Sequence, residues 1–215
     1  MYTLHIISNI SYWKCMAREV EIKFKVDKKE LKVLAKWLKD NAEFKKEIHH
    51  VEYYLDNPKI SFIFRNKNGF VDSADYLRVR FAEGKDSVCL KRFTIDEESQ
   101  TSENIDEIEY SVSKGEDALK LFKNLGYTNE TIIDKTRKIY DYRNFEIVID
   151  NIKNLGDFTE IELKEDFEGD IKIGRDKIYN LLKEIGFKEI RVQMRGYVSM
   201  IWNPDKDFTK VKNLD

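Results

Sequence analysis

Charged side chains two residues apart recur along several segments of this sequence. Glu19, Glu21 and Lys23 alternate with apolar residues in the run EVEIKFKV. The same spacing gives the pairs Arg78/Arg80, Glu107/Glu109, Lys135/Arg137 and Glu160/Glu162, and Lys91 and Asp150 add single charges. Side chains at positions i and i+2 of a β-strand project from the same face. Each pair is therefore predicted to lie on one face of its strand.

The sorting of these pairs by sign suggests what they could bind. Any one pair could simply face water, as the polar side of an antiparallel sheet usually does. Like charges on one face repel, however, so a solvated face normally mixes signs. Arg and Lys bind phosphate oxygens, and carboxylates bind Mg²⁺ or Mn²⁺. Basic couples and acidic couples on neighbouring strands therefore favour a site for a triphosphate and a divalent cation.

The elements that carry these residues follow from periodicity. Asp27 is predicted to cap a helix, with Glu30 as its capping-box partner. Further helices are predicted from Ser113 to about Asn124 and from about Arg175 to Ile185. Strands are predicted near residues 18–26, 51–56, 60–65, 75–82, 87–94, 105–112, 131–141, 143–151 and 158–165. Helices between blocks of strands predict an antiparallel α+β fold, and the charged alternation favours a closed barrel with flanking helices.

Composition excludes several classes of protein. The 215 residues contain 38 Lys and Arg against 40 Asp and Glu, a net charge of −2 that does not favour nucleic-acid binding. Cys15 and Cys89 are the two cysteines and show no metal-ligand spacing. No segment approaches the ~18 apolar residues of a membrane span, and no signal peptide is apparent. We therefore expect a cytoplasmic protein without membrane partners.

The beginning of the chain differs from the rest. Residues 1–15 show no clear period, whereas Met16 is followed almost at once by the first alternating strand. We interpret residues 1–15 as a misassigned or flexible extension and residues 16–215 as a single domain. His49 and His50 adjoin a predicted strand without a metal-ligand partner at suitable spacing, so both are expected to be exposed.

Several of these motifs together resemble one known family. Glu19-x-Glu21-x-Lys23 is similar to the N-terminal signature of the CYTH superfamily, the triphosphate tunnel metalloenzymes. YLRVR, the lysine of CLKRF and the stretch KTRKIYDYRNFEIVIDNIKNLGDFTEIEL follow in the order and spacing of that family. The last stretch looks most like class IV adenylate cyclases. The resemblance covers about residues 17–200.

The resemblance implies an eight-stranded antiparallel tunnel that binds a triphosphate with Mg²⁺ or Mn²⁺. Its metal-binding carboxylates match Glu19, Glu21, Asp150, Glu160 and Glu162. Its phosphate-binding residues match Lys23, Arg78, Arg80, Lys91, Lys135 and Arg137. Glu19, Glu21 and Lys23 are the residues expected to act in catalysis. Glu107 and Glu109 match the middle acidic strand more loosely, and RGYVSMI, which contains Arg195 and Tyr197, departs from the family's C-terminal Tyr motif.

Three functions remain open at this point. A class IV adenylate cyclase would convert ATP to cyclic AMP and pyrophosphate. A triphosphatase would hydrolyse inorganic triphosphate, thiamine triphosphate or a nucleotide, and a binding module would hold a triphosphate without turnover. An ordinary ligand-binding barrel would need an apolar interior, which the charge pairs do not offer. A homodimer is the default expectation for the oligomeric state.

Overall fold

The computed structural model describes residues 20–95, 102–164 and 171–215. Residues 1–19 lie outside it, so the proposed N-terminal extension and the role of Glu19 stay predictions. Side chains are described for all of these residues except those of 93–95 and 102–106.

Strands dominate the described part of the chain. Twelve are present: β1 (Glu21–Val26), β2 (Glu43–Asp56), β3 (Ile63–Arg65), β4 (Val71–Ser73), β5 (Asp75–Ala82), β6 (Asp86–Ile95), β7 (Ser102–Val112), β8 (Thr128–Tyr142), β9 (Phe145–Ile152), β10 (Gly156–Leu163), β11 (Glu189–Gln193) and β12 (Thr209–Asn213).

In the described ranges, four helices lie between these strands: α1 (Lys28–Asn41), α2 (Gly115–Asn124), α3 (Ile171–Ile185) and α4 (Tyr197–Trp202). The predicted capping box of α1 is confirmed. The Asp27 carboxylate accepts hydrogen bonds from the backbone N–H groups of Lys29 and Glu30, and Glu30 accepts one from the backbone of Asp27. The predicted α+β class is likewise confirmed.

The main sheet is open, so the predicted closed eight-stranded barrel is wrong. Ten strands pair antiparallel in the order β12-β11-β1-β10-β9-β8-β2-β5-β6-β7, and β3 pairs with β4 separately. Within the described residues no ladder joins β7 to the opposite end of the sheet. One edge of β1 pairs with β10 and the other with β11, which leaves β1 no edge with which to close a barrel.

The apolar core covers one face of the sheet. Ile22, Phe24 and Val26 alternate along β1 and, with Val20 just before it, pack with residues of α1, α3, β9 and β10. A second apolar cluster packs α2 against β2, β5 and β6 through Leu119 and its neighbours. The helices pack on this face, and the charged side chains lie on the opposite face. Among the described residues, no helix has the length and apolar content that a membrane crossing requires.

Candidate active site

The predicted charged residues share a face because of the strand register. Lys23 in β1 lies opposite Glu160 in β10, and Arg137 in β8 lies opposite Asp150 in β9. Across the rest of the sheet, Glu52 in β2 lies opposite Arg80 in β5. Directly opposed residues project from the same side of a sheet. The alternation seen in the sequence thus becomes one charged face running from β1 to β7.

The central part of this face is a network of ion pairs. Lys23 Nζ lies 2.8 Å from Glu160 Oε1. Arg137 donates from Nε to Asp150 Oδ1 and from Nη2 to Glu160 Oε2, each at 2.7 Å. The Tyr197 hydroxyl donates to Asp150 Oδ2 at 3.1 Å and to Glu160 Oε1 at 3.2 Å. Two of the predicted metal-binding carboxylates are therefore held side by side.

Helix α4 lies on the charged face and supplies Tyr197. The ring of Tyr197 packs on Phe158, and Lys23 Nζ and Lys135 Nζ lie 4.8 and 5.6 Å from its centroid. Two strands separate β1 from β8, so these lysines converge from distant parts of the sheet. Burial, followed by Glu160 and Asp150, raises the pKa of Tyr197 well above its usual value, so the hydroxyl stays protonated and can donate.

Glu52 is a buried carboxylate that the sequence pattern did not predict. Only 1% of its surface is exposed. Arg80 Nε lies 2.9 Å, Lys135 Nζ 3.4 Å and Arg78 Nη1 3.5 Å from its Oε1. Burial alone would raise the pKa of Glu52, but Lys135, Arg78 and Arg80 outweigh it and hold the pKa well below the usual range. Glu52 thus fixes three of the six predicted phosphate-binding side chains.

Strands β6 and β7 form the far end of the charged face. Lys91 pairs with Glu107, and Glu109 Oε1 lies 3.6 Å from Arg78 Nη2 and 3.5 Å from Arg80 Nη1. Cys89 is buried between these groups and donates to Glu107 at 3.4 Å. The ligand atoms of Cys89, Glu107 and Glu109 lie within 4.8 Å of one another. Glu107 and Glu109 therefore belong to the charged face and are not simply a solvated pair.

At the other end, carboxylates face one another across three strands. Glu21 in β1 lies opposite Glu162 in β10, and Glu162 lies opposite Glu146 in β9. Carboxylate oxygens are the ligands that Mg²⁺ prefers. The donor set of this end therefore fits such an ion, although Glu19, the remaining predicted ligand, lies outside the described residues.

His50 also differs from expectation. His49 is exposed, as predicted, and its ring contacts Asp134 on the outer face of the sheet, which is the face opposite the charged one. His50 instead is buried on the charged face, with 7% of its surface exposed. The structure therefore corrects the prediction for His50. The alternation of β2 could have revealed this position, since His50, Glu52 and Tyr54 are two residues apart and share one face. Basic residues of β5 and β8 lie opposite them on that face.

Comparison with known proteins identifies the family. The model of the CYTH domain matches residues 17–197. The chain belongs to the CYTH domain family. The resemblance found in the sequence is therefore confirmed. A Methanocaldococcus jannaschii protein provisionally named an adenylate cyclase is 30% identical to this CYTH protein over 183 residues, which cover 85% of this chain and 97% of the relative.

Solved structures agree with this assignment. A Pyrococcus horikoshii protein of 25% identity superposes with a TM-score of 0.64, covering 84% of this CYTH protein and 97% of its own chain. A Hippeastrum protein, provisionally named an adenylyl cyclase and described as having a dominant triphosphatase activity, superposes with a TM-score of 0.60. It covers 87% of this chain and 95% of its own, and at 14% identity it supports the shared fold alone.

Proposed function

We propose that this CYTH protein is a divalent-metal-dependent enzyme that acts on a triphosphate, most specifically a class IV adenylate cyclase. The observation that carries the proposal is the continuous charged face, on which basic side chains of β1, β5, β6 and β8 pair with carboxylates of β2, β7, β9 and β10. The M. jannaschii relative supports the cyclase by its name.

The phosphate-binding role belongs to the basic residues of this face. Lys23, Arg137 and Lys135 lie around Tyr197, while Arg78 and Arg80 lie around Glu52. Lys91 completes the set at β6. Their carboxylate partners hold these side chains in place before substrate arrives. Preorganised cations stabilise the charge that develops on transferred phosphate without further reorganisation.

The metal-binding role is proposed for Glu19, Glu21, Asp150, Glu160 and Glu162. Bound there, Mg²⁺ or Mn²⁺ would supply Lewis-acid stabilisation of phosphate oxygens. Arg137 and Tyr197 orient two of these carboxylates, Asp150 and Glu160, by donating hydrogen bonds to both. Burial alone would lower the pKa of Lys23, but Glu160 and Glu21 outweigh burial and raise the pKa above its usual value. Lys23 therefore remains a cation that can neutralise phosphate charge.

The cyclase reaction needs a single displacement at phosphorus. The ribose 3′-hydroxyl oxygen of ATP bonds to the α-phosphorus as the bond to the bridging oxygen of the β-phosphate breaks. Cyclic AMP and pyrophosphate form, and the hydroxyl proton is released. The positive side chains that hold the β- and γ-phosphates stabilise the pyrophosphate as it leaves.

A triphosphatase is the second candidate, because the basic residues span the face from β1 to β6. Arg and Lys side chains bind phosphate oxygens without any recognition of a base. Water would then attack the terminal phosphorus as its bond to the bridging oxygen breaks, the diphosphate portion of the substrate would leave, and orthophosphate and a proton would be the other products. The described activity of the Hippeastrum protein shows that this fold supports such chemistry in another protein.

Product analysis separates these candidates. Purified protein is given ATP, inorganic triphosphate or thiamine triphosphate, with Mg²⁺, with Mn²⁺ or with chelator. Metal-dependent cyclic AMP and pyrophosphate from ATP support the cyclase. Orthophosphate without cyclic AMP supports the triphosphatase, and binding without any metal-dependent product would leave only a triphosphate-binding module. The cytoplasmic location and the homodimer expected from the sequence stay predictions.

A further inference from the structure

His50 occupies an unusual position on the charged face. It lies in β2 opposite Lys135 of β8, two residues before Glu52. Although its ring is more than nine-tenths buried, neither ring nitrogen has a hydrogen-bond partner among the described residues. Its Nδ1 lies 4.0 Å from Glu52 Oε1, beyond hydrogen-bond distance. A buried polar group without a partner costs free energy, so its presence calls for a physical explanation.

The surroundings of His50 favour an anion. The pKa of His50 is lowered to about 4, mainly by burial and then by Lys135, Arg80 and Arg137, against the opposing effect of Glu52. The imidazole is therefore neutral near pH 7 and carries one N–H donor. Glu52, its nearest carboxylate, is already shared among three cations. A metal cation would be repelled by these neighbours, whereas a phosphate oxygen would be attracted.

We propose that His50 is a neutral phosphate-binding residue, whose ring N–H donates a hydrogen bond to a triphosphate oxygen held by Lys135 and Arg80. This inference rests on the proposed function and deepens it. A neutral donor suits the position because another fixed positive charge beside Lys135 and Arg80 would add repulsion before the substrate binds. The free energy cost of the unpartnered ring before binding is then recovered in the complex, where its hydrogen bond forms to a charged oxygen.

Substitution of His50 gives opposite effects on binding and on stability. His50→Phe keeps a ring of similar shape and removes both nitrogens. We expect its Kd for imidotriphosphate with Mg²⁺, an analogue whose P–N–P bridges resist cleavage, to rise about tenfold by titration calorimetry. The melting temperature without ligand should stay the same or rise, because an unpartnered buried polar group has been removed. His50→Gln, which retains an N–H donor, should keep most of the affinity.

His49→Phe is the matched control, since His49 is the adjacent residue of β2 and faces away from the charged face. Its affinity should equal that of the wild type. If His50→Phe does not fold, His50→Met provides the same donor-free comparison. Wild-type affinity in the donor-free variant would overturn this inference and leave the proposed function standing. Absence of imidotriphosphate binding by the wild type would overturn both.

Discussion

At the residue scale, two carboxylates of the charged face are each shared among several cations. Glu160 contacts Lys23 and Arg137, and Glu52 contacts Arg78, Arg80 and Lys135. The sequence predicted the basic side of these contacts because like-charged couples stand out at i, i+2 spacing. Glu52 has no such neighbour in VEYYLD, and its importance depends on which strands flank β2, which the spacing alone does not reveal.

The first prediction concerns Glu52 and pH. Glu52→Gln should lower the free energy of unfolding at pH 7 by about 3 kcal/mol, because it leaves buried cations without their carboxylate. A depressed native pKa contributes stability that is present above the unfolded value, near 4.5, and is lost as pH falls below it. The difference in free energy of unfolding between wild type and variant, measured by urea unfolding, should therefore shrink from pH 6 to pH 3.

Glu47→Gln is the control for Glu52. Glu47 lies in the same strand but faces outward, where it forms an exposed ion pair with Lys138. We expect Glu47→Gln to change the free energy of unfolding little. Equal effects of both substitutions would show that Glu52 has no special role.

The second prediction concerns Tyr197. Tyr197→Phe removes the hydroxyl that donates to Asp150 and Glu160 and keeps the ring on Phe158. The Mg²⁺ concentration for half-maximal turnover should rise about tenfold or more, since groups that orient metal ligands commonly have effects of that size. Tyr140→Phe in β8, whose ring packs on Phe44, is the control. An unaltered Mg²⁺ titration in Tyr197→Phe would rule out the orienting role.

At the element scale, local signals predicted some elements well and others poorly. The capping box of α1 and the alternation of β1 depend on neighbours in sequence, and both predictions hold. Strand β2 begins at Glu43, well before the predicted residue 51, because the charged run EFKKEIHH hides its alternation. Strands β11 and β12 are short and charged, and they were missed. Their existence depends on pairing with β1 and with each other.

The third prediction belongs to α1. Asp27→Ala removes the side-chain cap that accepts from the backbone N–H groups of Lys29 and Glu30. The melting temperature should fall by a few degrees, while triphosphate turnover below the transition stays unchanged because α1 lies on the opposite side of the sheet. Asp40→Ala, near the other end of the helix and without a capping role, should not lower the melting temperature. A comparable fall in melting temperature in both variants would contradict the importance of the cap.

At the scale of the whole molecule, one face of the open sheet carries the apolar core that stabilises the fold, and the other carries the groups proposed for function. Helices α1, α2 and α3 bury the apolar face, whereas α4 and the charged groups occupy the other. The sequence predicted the charged face and the class, but the barrel was wrong because β11 pairs with the edge of β1 that closure would require. Such competition between strands depends on long-range pairing, which periodicity does not encode.

The central claim is that the charged face binds and converts a triphosphate, and β8 offers a direct test of it. Lys135 and Lys138 lie in the same strand, Lys135 buried on the charged face and Lys138 exposed on the outer face. Lys135→Met leaves Glu52 paired with Arg78 and Arg80, so the fold should be retained, as circular dichroism can verify.

The decisive measurement is the rate of Mg²⁺-dependent ATP turnover by Lys135→Met and Lys138→Met beside the wild type. Loss of a preorganised phosphate contact should reduce the rate of Lys135→Met by about 10²-fold. Lys138→Met should match the wild type. Wild-type rates in both variants would contradict the assignment of the charged face as the active site.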